Sequence, residues 1–284
     1  MISTSFVEQP TDLHVRLRHD LLESGVRLPE PARVISARAA AFPGWLDDVQ
    51  KELREFGVAV VQLDEPLSTD SFITLGAALG TAMPELDPAV LPYVEKNVVL
   101  NLVTDFGYTS DVSLQPFASN ILTLHTESSG RPVAEQPRYI VLMCCAPGDN
   151  GAAAQTVLVP MTAVERQLTS LEIAILSQSK YRNSNGPAIV RVEAGRRVFS
   201  FRDFLGQTLE VAYSGDDLNR DALVATVRRL LASTYAKDAA IGINWTLGML
   251  VIIDNTFFFH GRTMTTNPTA IRRRHLKRLR ILST

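Results

Sequence analysis

Five histidines occur in the 284 residues: His14, His19, His125, His260 and His275. His125 is followed two residues later by Glu127. On a strand, residues i and i+2 point to the same face, so one imidazole and one carboxylate can meet one metal ion from a single strand end. Far downstream, His260 ends an apolar, strand-like run and supplies a second imidazole. Two histidines and one carboxylate leave coordination positions open, which suits Fe(II) oxygen chemistry. Zinc accepts the same donors, so a zinc hydrolase is a competing reading. A jelly-roll ligand-binding protein with a degenerate metal site is a third. His-x-Glu alone is a short pattern that arises by chance, so the surrounding elements must carry the argument.

A dioxygenase that consumes a dicarboxylate co-substrate needs a permanent cation for the distal carboxylate. Arginine's planar fork binds a carboxylate bidentately. The segment Arg272–Arg280, RRRHLKRLR, supplies several. With Leu276–Leu282 read as a strand, Leu276, Arg278 and Arg280 share one face. Four other polar residues flank the ligand motifs and are candidate substrate contacts. Ser119 and Asn120 precede the metal strand, Arg131 lies in the loop Ser128–Pro137 after the first ligand pair, and Asp203 follows the Arg197–Phe201 strand.

The elements that must position these residues are mostly short strands. Gly57–Asp64 is a β-branched run bounded by glycine and proline, flanked by a helix over Trp45–Phe56 and a second helix opened by Ser68-Thr-Asp70. From Val98 onward, strands fall at Asn97–Val103, Ile121–His125, Tyr139–Cys145 and Gln155–Val159. Thr162-Ala-Val-Glu165 has the capping-box pattern and predicts a short helix over Val164–Leu176. A hairpin follows around Ala194-Gly195, then a helix over Asp217–Ala236, a strand at Gly248–Asp254, an excursion through Pro268 and a final strand near Leu276–Leu282. Many short strands with few helices argue for a mainly β protein with flanking helices: a double-stranded β-helix, or jelly roll, not a doubly wound sheet. No repeat or low-complexity linker divides the chain, so residues 1–284 read as one domain. Residues 1–35, polar and proline-bearing, read as a loose N-terminal arm, with the jelly-roll core over about 95–284.

Composition excludes several classes. A hydrophobic fraction of 46% gives material for one sizeable core. The formal net charge of −2 gives no general pull towards nucleic acid or anionic membranes, despite the basic run near the end. No apolar run reaches the ~20 residues of a spanning helix, and no export signal opens the chain. Cys144 and Cys145 are adjacent and read as reduced core thiols of a cytoplasmic protein.

Five pieces of the chain, in order, resemble the TauD/TfdA-type superfamily of Fe(II)/2-oxoglutarate dioxygenases, and within it the clavaminate synthase-like branch. They are Gly57-Val-Ala-Val-Val with its following helix, Leu124-His125-Thr126-Glu127, Gln155-Thr156, Ile253-Asp254-Asn255…His260-Gly261-Arg262-Thr263, and His275-Leu276-Lys277-Arg278. The resemblance covers most of the chain from about Gly57. It implies Fe(II) held by His125, Glu127 and His260, with O2 and 2-oxoglutarate as co-substrates, Thr156 hydrogen-bonding 2-oxoglutarate and Arg278 anchoring it. It also implies that an acidic residue near Asp203 can receive a basic substrate group. Hydroxylation is the implied outcome, with desaturation, epoxidation and cyclisation open. Halogenases of this superfamily replace the carboxylate with a small residue, and here Glu127 fills it. The implied substrate is a small molecule: an amino acid or amino-acid-derived scaffold of a natural-product pathway. The sequence departs from the family at Gly248-Met249, where a Gly-Asp turn is usual. It departs again at Gly151-Ala-Ala-Ala-Gln155, where glycines are usual.

Overall fold

The computed structural model describes residues 2–104, 109, 111, 114–148, 154–215, 220–265 and 273–283. In chain order its elements begin with β1 (Ile2–Phe6), α1 (Leu13–Leu22), β2 (Ile35–Ala37), α2 (Leu46–Phe56), β3 (Val58–Leu63) and α3 (Thr69–Leu79). Next come β4 (Thr81–Ala82), β5 (Val94–Glu95), β6 (Val99–Val103), β7 (Leu122–His125), β8 (Tyr139–Ala146) and β9 (Thr156–Pro160). Then follow α4 (Met161–Glu165), α5 (Ser170–Ser177), β10 (Ser179–Tyr181), β11 (Val190–Glu193), β12 (Arg196–Phe199) and β13 (Leu209–Tyr213). The chain closes with α6 (Arg220–Thr234), β14 (Ile241–Ile243), β15 (Met249–Asp254), β16 (Phe258–Arg262) and β17 (His275–Leu282).

Two sheets face each other. The larger runs β2-β3-β15-β8-β17-β6-β5, with β4 also on β17; the smaller runs β14-β9-β16-β7. Period-two alternation explains how one sheet serves two cores. On β8, Ile140, Leu142 and Cys144 enter the space between the sheets, while Val141 and Met143 pack outward. On β17, Leu276 points inward and Leu279 and Ile281 point outward. Helices α2 and α3 cover the outer face through Val49, Leu53, Phe72 and Leu75. The outside of the smaller sheet is covered by α4, α5, α6 and a third sheet, β1-β13-β10. This is the jelly roll with flanking helices that the strand pattern predicts.

Three local expectations change. Residues 1–35 do not hang free. β1 pairs with β13 along its length, and α1 buries His14, Leu21 and Leu22 against the body. The polar composition misled because a charged network lies inside: Arg18 donates to Glu8 at 2.9 Å and to Asp203 at 2.7 Å. The predicted helix over 164–176 is two helices. Its capping box is Thr169 with Glu172, not Thr162 with Glu165, because the chain turns at 166–169 between α4 and α5. The long helix is described from Arg220; its expected start at Asp217 and Leu218 lies outside the described residues. The hairpin around Ala194-Gly195 forms, with both residues at positive φ, as a tight turn of matching twist requires.

The buried N-terminal network carries a pH dependence. Contact with His14, helped by Arg18 and opposed by burial, holds the Glu8 carboxyl at about 2 against an ordinary 4.5. A depressed folded pKa stabilises the fold above the unfolded value, and that contribution is lost as pH falls through the folded one. The urea midpoint is therefore expected to fall between about pH 4.5 and 2. The loss is at most about 3 kcal/mol, and Glu8→Gln should flatten it.

Candidate active site

The smaller sheet brings the ligand candidates together. β7 and β16 are antiparallel neighbours, with His125 directly opposite His260. The rings lie 4.2 Å apart between centroids, tilted by 51°. β7 ends at His125, and Glu127 follows on irregular backbone. Its position is fixed instead by buried Asn255. The Asn255 Oδ1 accepts from Glu127 N at 2.8 Å, and its Nδ2 donates to the carbonyls of Glu127 at 3.2 Å and Pro137 at 3.0 Å.

The donor atoms converge. Glu127 Oε2 lies 3.7 Å from His125 Nε2 and 3.8 Å from His260 Nε2. Those separations are too long for hydrogen bonds and short enough for one shared ion. All three ligand atoms lie within 4.8 Å of one another. His125 Nδ1 sits 2.8 Å from the Thr123 carbonyl, which can only accept, so Nδ1 carries the proton and Nε2 faces the centre with its lone pair. Among the described residues His260 Nδ1 is buried without a partner, so the side chain's outlet is its Nε2.

The charge states suit a metal. Burial, with His125 close by, lowers His260 to about 4 despite the opposing pull of Glu127, so its imidazole is neutral near pH 7. Burial works against the Glu127 charge, but His125, His260 and Arg278 outweigh it and hold the carboxyl well below its ordinary value. Metals bind deprotonated donors, and both His260 and Glu127 are held in that form.

The triad opens into a cavity of about 700 Å³ between the sheets, walled by apolar residues such as Leu100, Leu102, Leu142 and Leu276. Thr156 and Arg278, the residues expected to hold 2-oxoglutarate, line it, and so does Arg131. Thr156 Oγ1 accepts from Trp245 Nε1 at 3.1 Å. Arg278 is heavily committed. Its Nη2 donates to buried Glu85 at 2.9 Å, and its Nη1 lies 3.9 Å from Glu127 Oε1. Arg280 repeats both contacts, at 2.7 Å and 3.5 Å.

Arg274 also lines the cavity, and among the described residues no carboxylate pairs with it. Its Nη1 reaches only the Ala154 carbonyl at 3.3 Å, and burial lowers it to about 10. Arg274 lies one residue before β17, yet it lines the same cavity as Arg278 and Arg280.

The remaining candidates are not cavity-lining. The Asn120 carbonyl accepts from Arg262 Nη2 at 2.8 Å and the Ser119 carbonyl accepts from Thr265 N at 3.3 Å, so both hold the rim's backbone. Asp203 is buried, and its Oδ2 accepts from Arg18 and from the Tyr235 hydroxyl, each at 2.7 Å. It is spent in the core and does not line the cavity. Glu85 and Trp245 escape the sequence motifs because each acts through a residue distant in the chain; Asn255 lies within the second histidine motif, but its hold on Glu127 is not visible there.

Residues 30–280 match the family described as taurine catabolism dioxygenase TauD, TfdA family. The chain belongs to this family. It is a non-haem iron, 2-oxoglutarate-dependent dioxygenase, as the family is. Solved structures share the fold. PvcB from Pseudomonas aeruginosa is 22% identical, with 91% of this chain and 92% of that one covered at a TM-score of 0.61. An asparagine oxygenase is 18% identical, with 97% and 92% covered at a TM-score of 0.61. OrfP, solved with Fe and alpha-ketoglutaric acid, is 17% identical, with 87% and 82% covered at a TM-score of 0.60. No curated protein matches the chain in sequence. Among the described residues, no helix of this family member is long and apolar enough to cross a membrane.

Because Asn255 holds the Glu127 backbone at both its N–H and its carbonyl, Asn255→Ala is expected to weaken iron binding about 10- to 100-fold. Iron titration by equilibrium dialysis measures this. A wild-type affinity would remove Asn255 from the site.

Proposed function

We propose that His125, Glu127 and His260 hold Fe(II), and that this dioxygenase hydroxylates an unactivated C–H of an amino acid or amino-acid-derived small molecule, cyclic dipeptides included, in natural-product biosynthesis. The observation that carries the reading is the convergence of two imidazoles and one carboxylate at the head of a largely apolar cavity. Bound iron supplies the redox chemistry that couples decarboxylation of 2-oxoglutarate to oxidation of the substrate. The chain's own residues supply position and exclusion of water. Thr123 fixes the His125 tautomer, Asn255 sets the Glu127 backbone, and Arg278 with Arg280 keeps Glu127 ionised and turned by one oxygen. The other carboxylate oxygen faces both imidazoles.

For the distal carboxylate of 2-oxoglutarate, Arg274 is a better anchor than Arg278. Arg278 already serves two carboxylates and adjoins a metal ligand. Arg274 has no such commitment among the described residues, and it reaches Ala154, two residues from Thr156. On β9, Thr156 stands two residues along from Leu158, which faces His260 across the ladder. That is about 6.6 Å, which suits an extended five-carbon chain held at the metal by its other end.

The amino-acid substrate class is supported by the fold-sharing asparagine oxygenase, solved with 3-hydroxyasparagine, and by OrfP, whose variant was solved with hydroxy-arginine. Anaerobic addition of Fe(II) and 2-oxoglutarate should give a weak visible charge-transfer band. A succinate-release screen over amino acids and cyclic dipeptides should then find the substrate. Without the band the iron reading fails; succinate release unaffected by any such compound removes the substrate class.

A further inference from the structure

Residues 200–203 run extended beside the metal strand. Phe201 exchanges hydrogen bonds with Thr126, Asp203 N donates to the Leu124 carbonyl at 3.2 Å, and Arg202 pairs with His125 across the gap. In extended backbone successive side chains take opposite faces. Phe201 and Asp203 are both buried in the core, and Arg202 therefore turns the other way and lines the cavity. Residues directly opposite in an antiparallel pair project on the same face, with Cβ atoms roughly 5 Å apart. Arg202 thus shares the face from which His125 reaches the metal centre.

Its charge is not spoken for. Among the described residues no carboxylate pairs with the Arg202 guanidinium, which lies 4.9 Å over the Phe204 ring. Of the other arginines along this cavity, Arg274 is assigned above to 2-oxoglutarate, and the rest have partners within the protein. Arg278 and Arg280 serve Glu85 and Glu127, and Arg262 is held by three backbone carbonyls. Arg182 meets Glu210 at 3.4 Å, and Arg131 meets Glu135 at 3.7 Å. Stacking on an aromatic face leaves the edge of a guanidinium free, and that edge is the fork that grips a carboxylate, phosphate or sulfonate.

We propose that Arg202 is a specificity-determining residue that receives an anionic group of the substrate on the His125 side of the cavity. The assignment rests on the oxygenase reading above and narrows its substrate class to anionic compounds. The reversal has a structural origin: of the adjacent pair Arg202-Asp203, the acid faces the core, where Arg18 and Tyr235 neutralise it.

The test uses the whole enzyme with Fe(II) and saturating 2-oxoglutarate, without oxygen, and follows perturbation of the charge-transfer band as amino acids are added. Matched pairs isolate charge from shape: aspartate against asparagine, glutamate against glutamine, O-phosphoserine and cysteate against serine, with lysine as the cation. The acidic amino acids against O-phosphoserine and cysteate separate a carboxylate from a phosphate or sulfonate. At least one anionic member should bind about tenfold or more tightly than its neutral partner. Arg202→Gln should erase the difference, Arg202→Lys should keep part of it, and Arg202→Glu should favour lysine. If no anionic member outbinds its partner, or the preference survives in Arg202→Gln, the assignment is overturned. A wild-type enzyme that gives no band at all defeats the oxygenase reading itself, and this assignment with it.

Discussion

His260→Ala is expected to abolish substrate-dependent succinate formation and to lower iron affinity by at least about a hundredfold, while the protein remains folded. His260 makes no hydrogen bond through Nδ1 and meets its neighbours only through the shared centre, so its loss strands no buried partner. His125→Ala should behave alike, since only the Thr123 carbonyl loses a donor. Glu127→Ala should add a stability cost that the histidine variants lack. It leaves two guanidinium groups, Arg278 and Arg280, to one remaining carboxylate, Glu85. Breaking a buried ion network by removing one partner costs about 3–5 kcal/mol. Iron titration, succinate assay and urea unfolding on the three variants separate these effects. Near-wild-type succinate production by any one of them would show that the assigned ligand is not one.

Arg274→Ala is expected to raise the apparent 2-oxoglutarate constant at least about tenfold, because a charge-assisted bidentate contact is worth roughly 1.5–3 kcal/mol. Arg274→Lys should recover only part, since lysine keeps the charge and loses the fork. Arg278→Ala should act elsewhere: it leaves Glu85 with Arg280 alone and loosens the hold on Glu127, lowering thermal stability more than co-substrate affinity. Initial rates against 2-oxoglutarate concentration decide between the two arginines. A raised constant for Arg278→Ala beside an unchanged one for Arg274→Ala would return the anchor to Arg278.

The contrast between these arginines shows what the sequence can carry. Strand identity was readable, because short continuous apolar runs mark β8 and β15, which are buried on both faces. The ligand triad was readable because histidines are scarce and the spacing between His125 and Glu127 matches a strand end. What a charged side chain does inside a fold was not readable. Asp203, Glu85 and Arg278 are all committed to partners far away in the chain, and no local pattern signals that. The N-terminal segment failed as a prediction for the same reason: polarity suggested solvent, whereas Glu8, His14 and Arg18 neutralise one another within the body.

The position of β17 also bears on how the protein is made. It is not an edge strand; it inserts between β8 and β6, pairing Arg278 with Leu142 on one side and Leu100 on the other. Ribosomal synthesis delivers those neighbours long before the strand that joins them. Until it emerges, β6 and β8 present open edges to solvent or to a chaperone, which is an aggregation hazard of slow, non-local sheets. The same order postpones iron loading. A nascent chain displaying only His125 and Glu127 lacks its third donor, so stable metal capture waits for β16, and the cavity floor waits for the last strand to slot home.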